Sequence, residues 1–370
     1  MKEIILAIAT LSGTIVGVGI FSLPYLTLLS GFWTILGYFL VLGIVSILIH
    51  LFFGELALKT EDYKRFPGFA KIYLGKLGEK TAIFSTTLGL SGAILAYLIV
   101  GGEFLNALLS PIFGGSELIY TLFYFLIGAI LIFFGIKIVS KIELLGLLLF
   151  FLSLFLIFIK GWHLIKIENL LITKTPSLKT FFLPYGPILF SLWGAALIPE
   201  AEEMLKEKKQ LLLKIIPISI LIPALIYLFF IFLILGICGN KTTESALSGL
   251  KTFLGDGIVS LTLFFGILTT FTSFISLGLT LKKVFWYDLG FNKNFAFFLT
   301  CFIPLFLYLI GIKEFISVIS FVGSILLGID GILILAMYKK IKPGQILIYP
   351  LFLVLIWGII FEILHFLKCI

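Results

Sequence analysis

The first long apolar segment of the chain carries in its middle the run Gly13-Thr-Ile-Val-Gly-Val-Gly-Ile-Phe-Ser-Leu-Pro24. Glycine and proline weaken an α-helix, and a backbone N–H or C=O group left without a partner is costly in an apolar environment. A later segment carries a related run, Ser191-Leu-Trp-Gly-Ala-Ala-Leu-Ile-Pro199. We therefore expect two broken helices, with Gly17 and Gly194 at corresponding positions.

The composition places these helices in a lipid bilayer. Of the 370 residues, 61% are hydrophobic and only 12% are charged, and the mean hydropathy is +1.22. An ordinary soluble domain is about one quarter charged. The sequence therefore predicts an all-α polytopic membrane protein whose outer surface is covered by lipid.

A membrane-spanning helix needs about 20 mostly apolar residues. On this basis residues 1–370 form a single transmembrane domain of about eleven helices, with no long polar insertion between them. The predicted spans are Ile4–Leu29, Gly31–Leu58, Thr81–Leu109, Ser116–Gly135, Lys141–Ile159, Phe181–Glu202, Ile215–Ile237, Asp256–Leu279, Asn294–Ile310, Phe315–Met337 and Gln345–Phe366.

The spacing of the spans predicts an internal duplication. Each span of the second group of five begins at a nearly constant distance after its counterpart in the first group. We assign repeat one to about residues 4–160 and repeat two to about 181–338, followed by one extra C-terminal helix at about 345–366. Because five is odd, the second repeat enters the membrane from the opposite face, as in many secondary transporters. The alternative is that helices of similar length produce such spacing by chance.

Loop charge orients the chain. Most Lys and Arg residues lie in alternate loops, including the cluster from Lys59 to Lys80 and the groups around Lys208, Lys282 and Lys339. Under the positive-inside rule the N-terminus is cytoplasmic and the C-terminus, after eleven spans, lies outside the plasma membrane. The net charge of +8 is explained by these loop residues, so no nucleic-acid partner is expected.

A broken helix offers chemistry that suits a zwitterion. The freed N–H groups and the positive end of the following half-helix attract a carboxylate, whereas the carbonyls that end the preceding half-helix attract an ammonium group or a metal cation. An amino acid has both charges. The alternative is that Gly13-x-x-x-Gly17 is a small-residue packing face and that the prolines only kink their helices.

These residues resemble a known group. The run from Gly13 to Pro24 is similar to the first-helix signature of the amino acid–polyamine–organocation superfamily, closest to its amino acid/auxin and hydroxy/aromatic amino acid permease branch. Further similar stretches are Arg65–Gly75, which resembles the branch's cytoplasmic loop after helix two, Phe190–Glu200, which resembles its sixth helix, and Thr272–Leu279, which resembles its eighth. The resemblance implies a LeuT-like fold of 5+5 inverted helices and an amino acid permease that works by ion-coupled symport and alternating access.

The resemblance also implies roles for particular residues. Backbone N–H groups of Gly17, Val18 and Gly19 would hold the substrate carboxylate, and the carbonyls of Ile15, Ser191 and Leu192 would face its ammonium group. Tyr97 and Trp193 (with Phe190) would close over the side chain, or would simply belong to an aromatic core. Gly194 marks the second break. From the residues themselves, small Gly101 and Gly102 would leave room for a bulky side chain, so the substrate is expected to be aromatic or large and neutral.

Ion coupling is left between Na⁺ and H⁺. By resemblance to sodium-coupled relatives, a sodium ion would be bound by Gly13, Val16, Thr269, Thr272 and Ser273, because oxygen ligands suit a hard cation. The alternative for the hydroxyls is ordinary hydrogen bonding between helices. Ile20 stands where some sodium-coupled relatives have an Asn ligand, which argues against a second sodium site. Span five has no mid-membrane Lys, so proton coupling through such a lysine, as in some relatives, is not expected.

Charged or ionisable residues inside a span are functional candidates by default. If protons drive transport, Glu103 in span three is the first choice, unless it lies near the outer end of its helix. His50 and Glu55 lie in the inner part of span two. We interpret Glu55, Glu200 and Asp330 as residues near the cytoplasmic surface that pair with loop lysines.

Other functional classes fit the sequence less well. Gly75-Lys-Leu-Gly-Glu-Lys-Thr81 lacks the Gly-Lys-Ser/Thr run of a nucleotide-binding loop, so no nucleotide partner is expected. Enzyme motifs such as HExxH and GxSxG do not occur, and the scattered Cys and His residues predict neither a cofactor nor a metal centre. An ion or small-solute channel is the remaining alternative. The oligomeric state, monomer or dimer, is left open.

Overall fold

The computed structural model describes residues 2–60, 64–135, 139–171 and 177–367. The described residues form helices and their connections. In chain order the α-helices are α1 (Lys2–Ile15), α2 (Leu23–Ser30), α3 (Phe32–Lys59), α4 (Phe66–Phe113), α5 (Glu117–Phe134), α6 (Val139–Gly161), α7 (Ile167–Leu170), α8 (Leu178–Phe182), α9 (Tyr185–Ser191), α10 (Ile198–Leu205), α11 (Leu212–Cys238), α12 (Lys251–Leu254), α13 (Asp256–Lys283), α14 (Lys293–Leu309), α15 (Phe315–Phe321), α16 (Leu327–Ile341) and α17 (Ile348–Phe366).

Each predicted span coincides with a helical segment. Among the described residues seven segments are long and apolar enough to cross a membrane, and the bent pair Glu3–Ile15 and Val18–Ser30 makes an eighth. One of the seven, Leu178–Lys241, has 64 residues and contains predicted spans six and seven. Two shorter apolar helices, Leu148–Leu164 and Lys293–Leu309, lie at spans five and nine. The predicted polytopic helical architecture is confirmed.

Both predicted breaks are present. The first helix bends by 46° between Ile15 and Val18, and a short 3-10 helix, Val18–Ser22, leads into α2. The later helix ends at Ser191 and resumes through a 3-10 helix, Ala195–Leu197, into α10. Pro24 and Pro199 lie in the first turn of α2 and α10, where proline is tolerated because the first helical N–H groups have no partner within the helix.

The helix of the third span starts earlier than predicted. The stretch Arg65–Gly75, expected to be a loop, is helical from Phe66, and α4 continues from there across a kink at Gly75. Gly75 has φ +72° and ψ −162°, a conformation that glycine adopts without a steric penalty. The chain therefore changes direction at this glycine before it enters the membrane span.

The helices of the two halves pack against each other. α1 lies against α10 and α11, α3 lies against α11 and α16, and α4 lies against α13, α5 and α16. The core between them is apolar and aromatic, while many large apolar side chains, such as Leu40, Phe123 and Leu353, stay exposed on the outside. Exposure of this kind matches a surface that lipid tails cover.

Ion pairs join helix ends on the lysine-rich side of the protein. Lys342 Nζ lies 2.6 Å from Glu55 Oε2, and Lys209 Nζ lies 3.2 Å from Glu202 Oε1. The hydrogen bond to Glu55 holds the pKa of Lys342 above its ordinary value. The interpretation of Glu55 as a partner of a loop lysine is confirmed. The same interpretation was made for Glu200 and Asp330, and their surroundings differ: Glu200 is exposed, whereas Asp330 is buried.

The extra C-terminal helix begins at Ile348, a few residues later than predicted, and packs against α16. Its buried Glu362 accepts hydrogen bonds from Ser320 at 2.7 Å and Ser324 at 3.2 Å. Tyr185 on α9 donates a hydrogen bond to the Val354 carbonyl at 3.1 Å. These contacts fix α17 to α9, which ends at the second break, and to the segment from Ser320 to Ser324, which packs against α9.

Candidate functional site

The first break leaves extended backbone at Gly17, which has φ −116° and ψ −160°. Its N–H turns back to the Ile15 carbonyl at 2.8 Å, and the next N–H, that of Val18, donates to the Tyr97 hydroxyl at 3.0 Å. Tyr97 belongs to α4, so a side chain from a neighbouring helix replaces the missing intrahelical partner. Buried N–H groups require such partners.

The second break leaves the N–H of Gly194 without a helical partner. This N–H donates to Nε2 of His50 on α3, at 2.9 Å. Nδ1 of the same ring lies 2.7 Å from the Ser46 carbonyl. Since Nε2 accepts a hydrogen bond and Nδ1 faces a carbonyl, the geometry assigns the proton of a neutral imidazole to Nδ1.

Carbonyl groups at both breaks also have partners. The Tyr227 hydroxyl of α11 lies 2.5 Å from the Ile15 carbonyl oxygen and 2.9 Å from that of Ser191, so its single proton is donated to one or shared by both. The Ser46 hydroxyl donates to the Leu192 carbonyl at 2.8 Å. The three carbonyls that were expected to face a substrate ammonium group therefore each have a hydroxyl of the protein within hydrogen-bond distance.

The two breaks are packed so closely that their glycines leave no room for a side chain. A Cβ at Gly17 would collide with the Tyr97 hydroxyl, and one at Gly19 would collide with the Ser191 side chain. A Cβ at Gly194 would lie 2.8 Å from Cγ1 of Ile15. Close backbone approach is the reason that glycine occupies these positions.

A cavity of about 170 Å³ lies where the breaks meet. Seven of the ten residues predicted to bind substrate line it, namely Ile15, Gly17, Gly19, Tyr97, Ser191, Trp193 and Gly194. The other three do not. Val18 and Leu192 are fully buried in the core, and Gly101 faces away from the cavity, where a Cβ would collide with the ring of Tyr124 on α5.

From the breaks the cavity continues along one face of α4 toward Phe66. This part is lined by Asp330 of α16 and by small or polar residues of α4, namely Ser85, Thr86, Gly89 and Ala93. The Ser85 hydroxyl donates to Oδ1 of Asp330 at 2.5 Å. Asp330 therefore lies in the passage and pairs with a hydroxyl, so the interpretation that it pairs with a loop lysine is wrong.

On the opposite side of the breaks the passage is closed by aromatic side chains. Phe21 packs edge-on against Phe104, Phe150 and Phe230, with ring centroids 4.9, 5.6 and 6.1 Å apart. All four rings are almost completely buried. The cavity therefore extends toward the end that carries Phe66, while these rings, which are not part of its lining, fill the space on the other side of the breaks.

Glu103 belongs to this closed side. Its Oε1 accepts hydrogen bonds from Ser245 at 2.5 Å and from Ser248 at 3.0 Å, both in the connection between α11 and α12. Glu103 is not among the residues that line the cavity. The sequence left open a position near the outer end of the helix, and in the structure this carboxylate anchors a connection between helices.

The five residues predicted to bind sodium do not line one cavity in the described structure. Gly13 and Val16 line a second, apolar cavity between α1, α6 and α11, whose described lining includes no residue of α13. On α13 the Thr269 hydroxyl donates to the Phe265 carbonyl at 2.9 Å and the Thr272 hydroxyl donates to the Thr269 carbonyl at 3.0 Å. Sodium binding by Gly13, Val16, Thr269, Thr272 and Ser273 stays a prediction.

Three partners of the breaks had no assigned role in the sequence. His50 was a candidate only as an ionisable side chain in an apolar span, which is a signal of function but not of a particular contact. Ser46 and Tyr227 carry no such signal, because serine and tyrosine are ordinary residues in a helix of this composition. Only the packing of α3 and α11 against the breaks reveals them.

Comparison with known proteins identifies relatives of this arrangement. The model of the tryptophan/tyrosine permease family matches residues 1–361. No curated protein shows significant similarity to the chain.

Two solved structures share the fold. The first is Mhp1, a nucleobase-cation-symport-1 family transporter in a closed conformation with bromovinylhydantoin bound, with TM-score 0.69, 11% identity, and coverage of 96% of this chain and 90% of that one. The second is MhsT in complex with L-phenylalanine, with TM-score 0.56, 16% identity and 98% coverage of both chains. At these identities the likeness establishes the fold, and it confirms the predicted LeuT-like architecture.

Replacing Tyr227 by Phe removes the hydroxyl that serves the Ile15 and Ser191 carbonyls. We expect the Tyr227→Phe variant to be less stable by about 1–3 kcal/mol, the usual cost of a buried polar group that loses its partner. The measurement is thermal unfolding of the purified protein in detergent. Tyr349→Phe, at an exposed position of α17, is the matched control and should unfold like the wild type. Equal stability of all three proteins would contradict the role assigned to the hydroxyl.

Proposed function

Because the chain belongs to the tryptophan/tyrosine permease family, it is an aromatic amino acid permease, and we propose that it binds tryptophan or tyrosine between the two helix breaks and carries it by alternating access. The observation that carries this proposal is the cavity that touches both breaks. A zwitterion in this cavity would lie beside the backbone of Gly17 and Gly19 on one side and of Ser191 and Gly194 on the other.

The lining of the cavity supports an aromatic side chain in the substrate. Phe190 and Trp193 form an aromatic part of the lining, and the part of α4 that lines the cavity carries the small residues Gly89 and Ala93. An aromatic ring gains contact area against such a wall and needs the room that small residues leave.

The difference between the two sides of the breaks supports alternating access. The cavity extends along α4 toward Phe66, whereas on the other side of the breaks the rings of Phe21, Phe104, Phe150 and Phe230 are packed together and buried. If the lysine-rich end faces the cytoplasm, as the positive-inside rule indicates, this arrangement corresponds to an inward-facing state, with the N-terminus inside and the C-terminus outside the plasma membrane.

Uptake into proteoliposomes tests the function directly. We expect saturable uptake of labelled tryptophan or tyrosine, exchange of internal for external substrate, and stimulation by an imposed gradient of either Na⁺ or H⁺, with each gradient applied separately. A carrier saturates because each molecule must occupy the site during a transport cycle. Flux that neither saturates nor shows exchange would contradict the carrier and favour a channel.

Because Gly19 lies against Ser191 of the second break, a substitution at Gly19 tests the proposed site. Gly19→Val drives a branched side chain into Ser191, so we expect uptake to fall to background, while the protein still folds because the neighbouring helices are unchanged. Gly37→Ala is the matched control, since a Cβ at Gly37 meets open space. The measurements are initial uptake rate and elution of the variants as single species. Uptake by Gly19→Val at the control rate would contradict the proposed site.

Cysteine labelling tests the passage along α4. In a variant whose Cys238, Cys301 and Cys369 are replaced by Ser, we expect Ala93→Cys to react with a membrane-impermeant thiol reagent from the cytoplasmic side and tryptophan to slow the reaction. Phe104→Cys, in the buried aromatic cluster, should react slowly from both sides. Labelling of Ala93→Cys only from the outside would contradict the proposed orientation.

A further inference from the structure

His50 lies at the second break without being part of the cavity lining. Its side chain is only 2% exposed, and its ring meets the Trp193 ring edge-on with centroids 5.2 Å apart. Ring nitrogen Nε2 accepts the Gly194 N–H at 2.9 Å, and Nδ1 faces the Ser46 carbonyl at 2.7 Å. Trp193 and Gly194 both line the cavity, so the imidazole contacts the cavity wall from behind.

This hydrogen-bond pattern is possible only for a neutral ring. A protonated imidazole has two N–H donors and no acceptor, so it cannot receive the Gly194 N–H. Protonation would place two donors against each other in a buried setting, which is strongly unfavourable. The conflict disappears if the peptide between Trp193 and Gly194 turns over. The Trp193 carbonyl then accepts from Nε2–H, and the Gly194 N–H points toward the cavity.

Glycine suits such a turn. Reversal of the peptide changes φ of Gly194 and ψ of Trp193, and glycine reaches both signs of φ with little penalty. After this rotation the Gly194 N–H would be one of the free N–H groups at the N-terminal end of the segment that leads into α10, where the helix dipole is positive. A substrate carboxylate in the cavity would then have a hydrogen-bond donor that the neutral state withholds.

Carboxyl groups on the elements packed around His50 either have other partners or are exposed, as Glu200 and Glu203 on α10 are. On α3 itself, Glu55 pairs with Lys342, and on α10 Glu202 pairs with Lys209. On α16 Asp330 accepts from Ser85.

The tyrosines of these elements are also engaged. Tyr227 on α11 donates to carbonyls of the breaks, Tyr185 on α9 donates to the Val354 carbonyl, and Tyr338 on α16 stacks on Phe52. The contacts of the His50 ring with polar groups are therefore those with Ser46 and Gly194.

We propose that His50 is a proton-operated positioning residue, whose protonation turns the Trp193–Gly194 peptide and offers the Gly194 N–H to the carboxylate of the amino acid. The inference rests on the proposed function and specifies how a proton would be linked to substrate binding. Substrate and proton favour the same state, so each strengthens the binding of the other by the same factor. At a pH where the ring of the free protein is neutral, binding of one amino acid therefore takes up one proton at His50.

The sign of the pH dependence follows from this linkage. At low pH the ring is already protonated and the site is ready, whereas at higher pH binding must include uptake of a proton. We expect the affinity of the wild type for tryptophan to weaken as pH rises between about 5 and 8, because the buried ring of the free protein is neutral over this interval and binding must include uptake of its proton. One linked proton limits the change to about tenfold per pH unit.

The experiment measures tryptophan affinity of the purified protein by calorimetry across this interval, in two buffers of different ionisation enthalpy. The buffer difference reports the number of protons taken up. His50→Gln keeps an acceptor for Gly194 and a donor for Ser46 but cannot gain a proton, so its affinity should not change with pH and its proton uptake should be absent. His163→Gln, at an exposed residue, is the matched control and should behave like the wild type.

The outcomes are distinguishable. If the wild type binds tryptophan without pH dependence or proton uptake, or if His50→Gln keeps both, the inference is overturned while the proposed function stands. A His50 with a merely structural role would lower stability in the variant without removing the slope. If His50→Gln does not fold, absence of proton uptake by the wild type still overturns the inference, and loss of the uptake in Asp330→Asn, which removes the carboxyl in the cavity, overturns it as well. A wild type that binds neither tryptophan nor tyrosine overturns the proposed function and this inference together.

Discussion

The structure depends on one constraint: backbone N–H and C=O groups freed inside a bilayer must find partners in the protein or in a ligand. At the two breaks the neighbouring helices provide most of these partners. Tyr97 on α4 accepts from Val18, His50 on α3 accepts from Gly194, and Tyr227 on α11 donates to carbonyls of both breaks. The unwound segments are stable because side chains from three other helices converge on them.

This convergence also explains why the two breaks line one cavity. The hydroxyl of Tyr227 ties the end of α1 to the end of α9, so the two interruptions face each other across one cavity. The groups that satisfy the backbone are polar side chains with alternatives of their own. A hydroxyl can rotate, and the proposed protonation of His50 would turn the Gly194 N–H toward the cavity, so in this proposal a substrate group takes the place of a protein partner. An arrangement of fixed backbone partners alone would lack this freedom.

The two sides of the breaks are built differently. On one side large rings around Phe21 fill the space, and Glu103 holds the connection between α11 and α12 through two serine hydroxyls. On the other side small residues of α4 and the Ser85–Asp330 pair leave a passage. Opening the aromatic side requires separation of packed rings, whereas closing the other side requires α4 and α16 to approach. This asymmetry supports the proposal of alternating access.

Much of the fold can be read from local sequence. Apolar runs of sufficient length locate the helices, and the matched glycines and prolines around Gly17 and Gly194 locate the breaks. The partners of the breaks cannot be read in this way, because nothing near Tyr227 or Ser46 in the sequence indicates a carbonyl from a distant helix. Gly101, expected at the substrate, faces α5 instead.

The sequence by itself determined where the backbone would be freed, because helix propensity depends on residues that are close together in the chain. Tertiary structure decided which side chains satisfy that backbone and which residues the cavity exposes. Those outcomes depend on how helices far apart in the chain are rotated against one another, and no local pattern records that rotation.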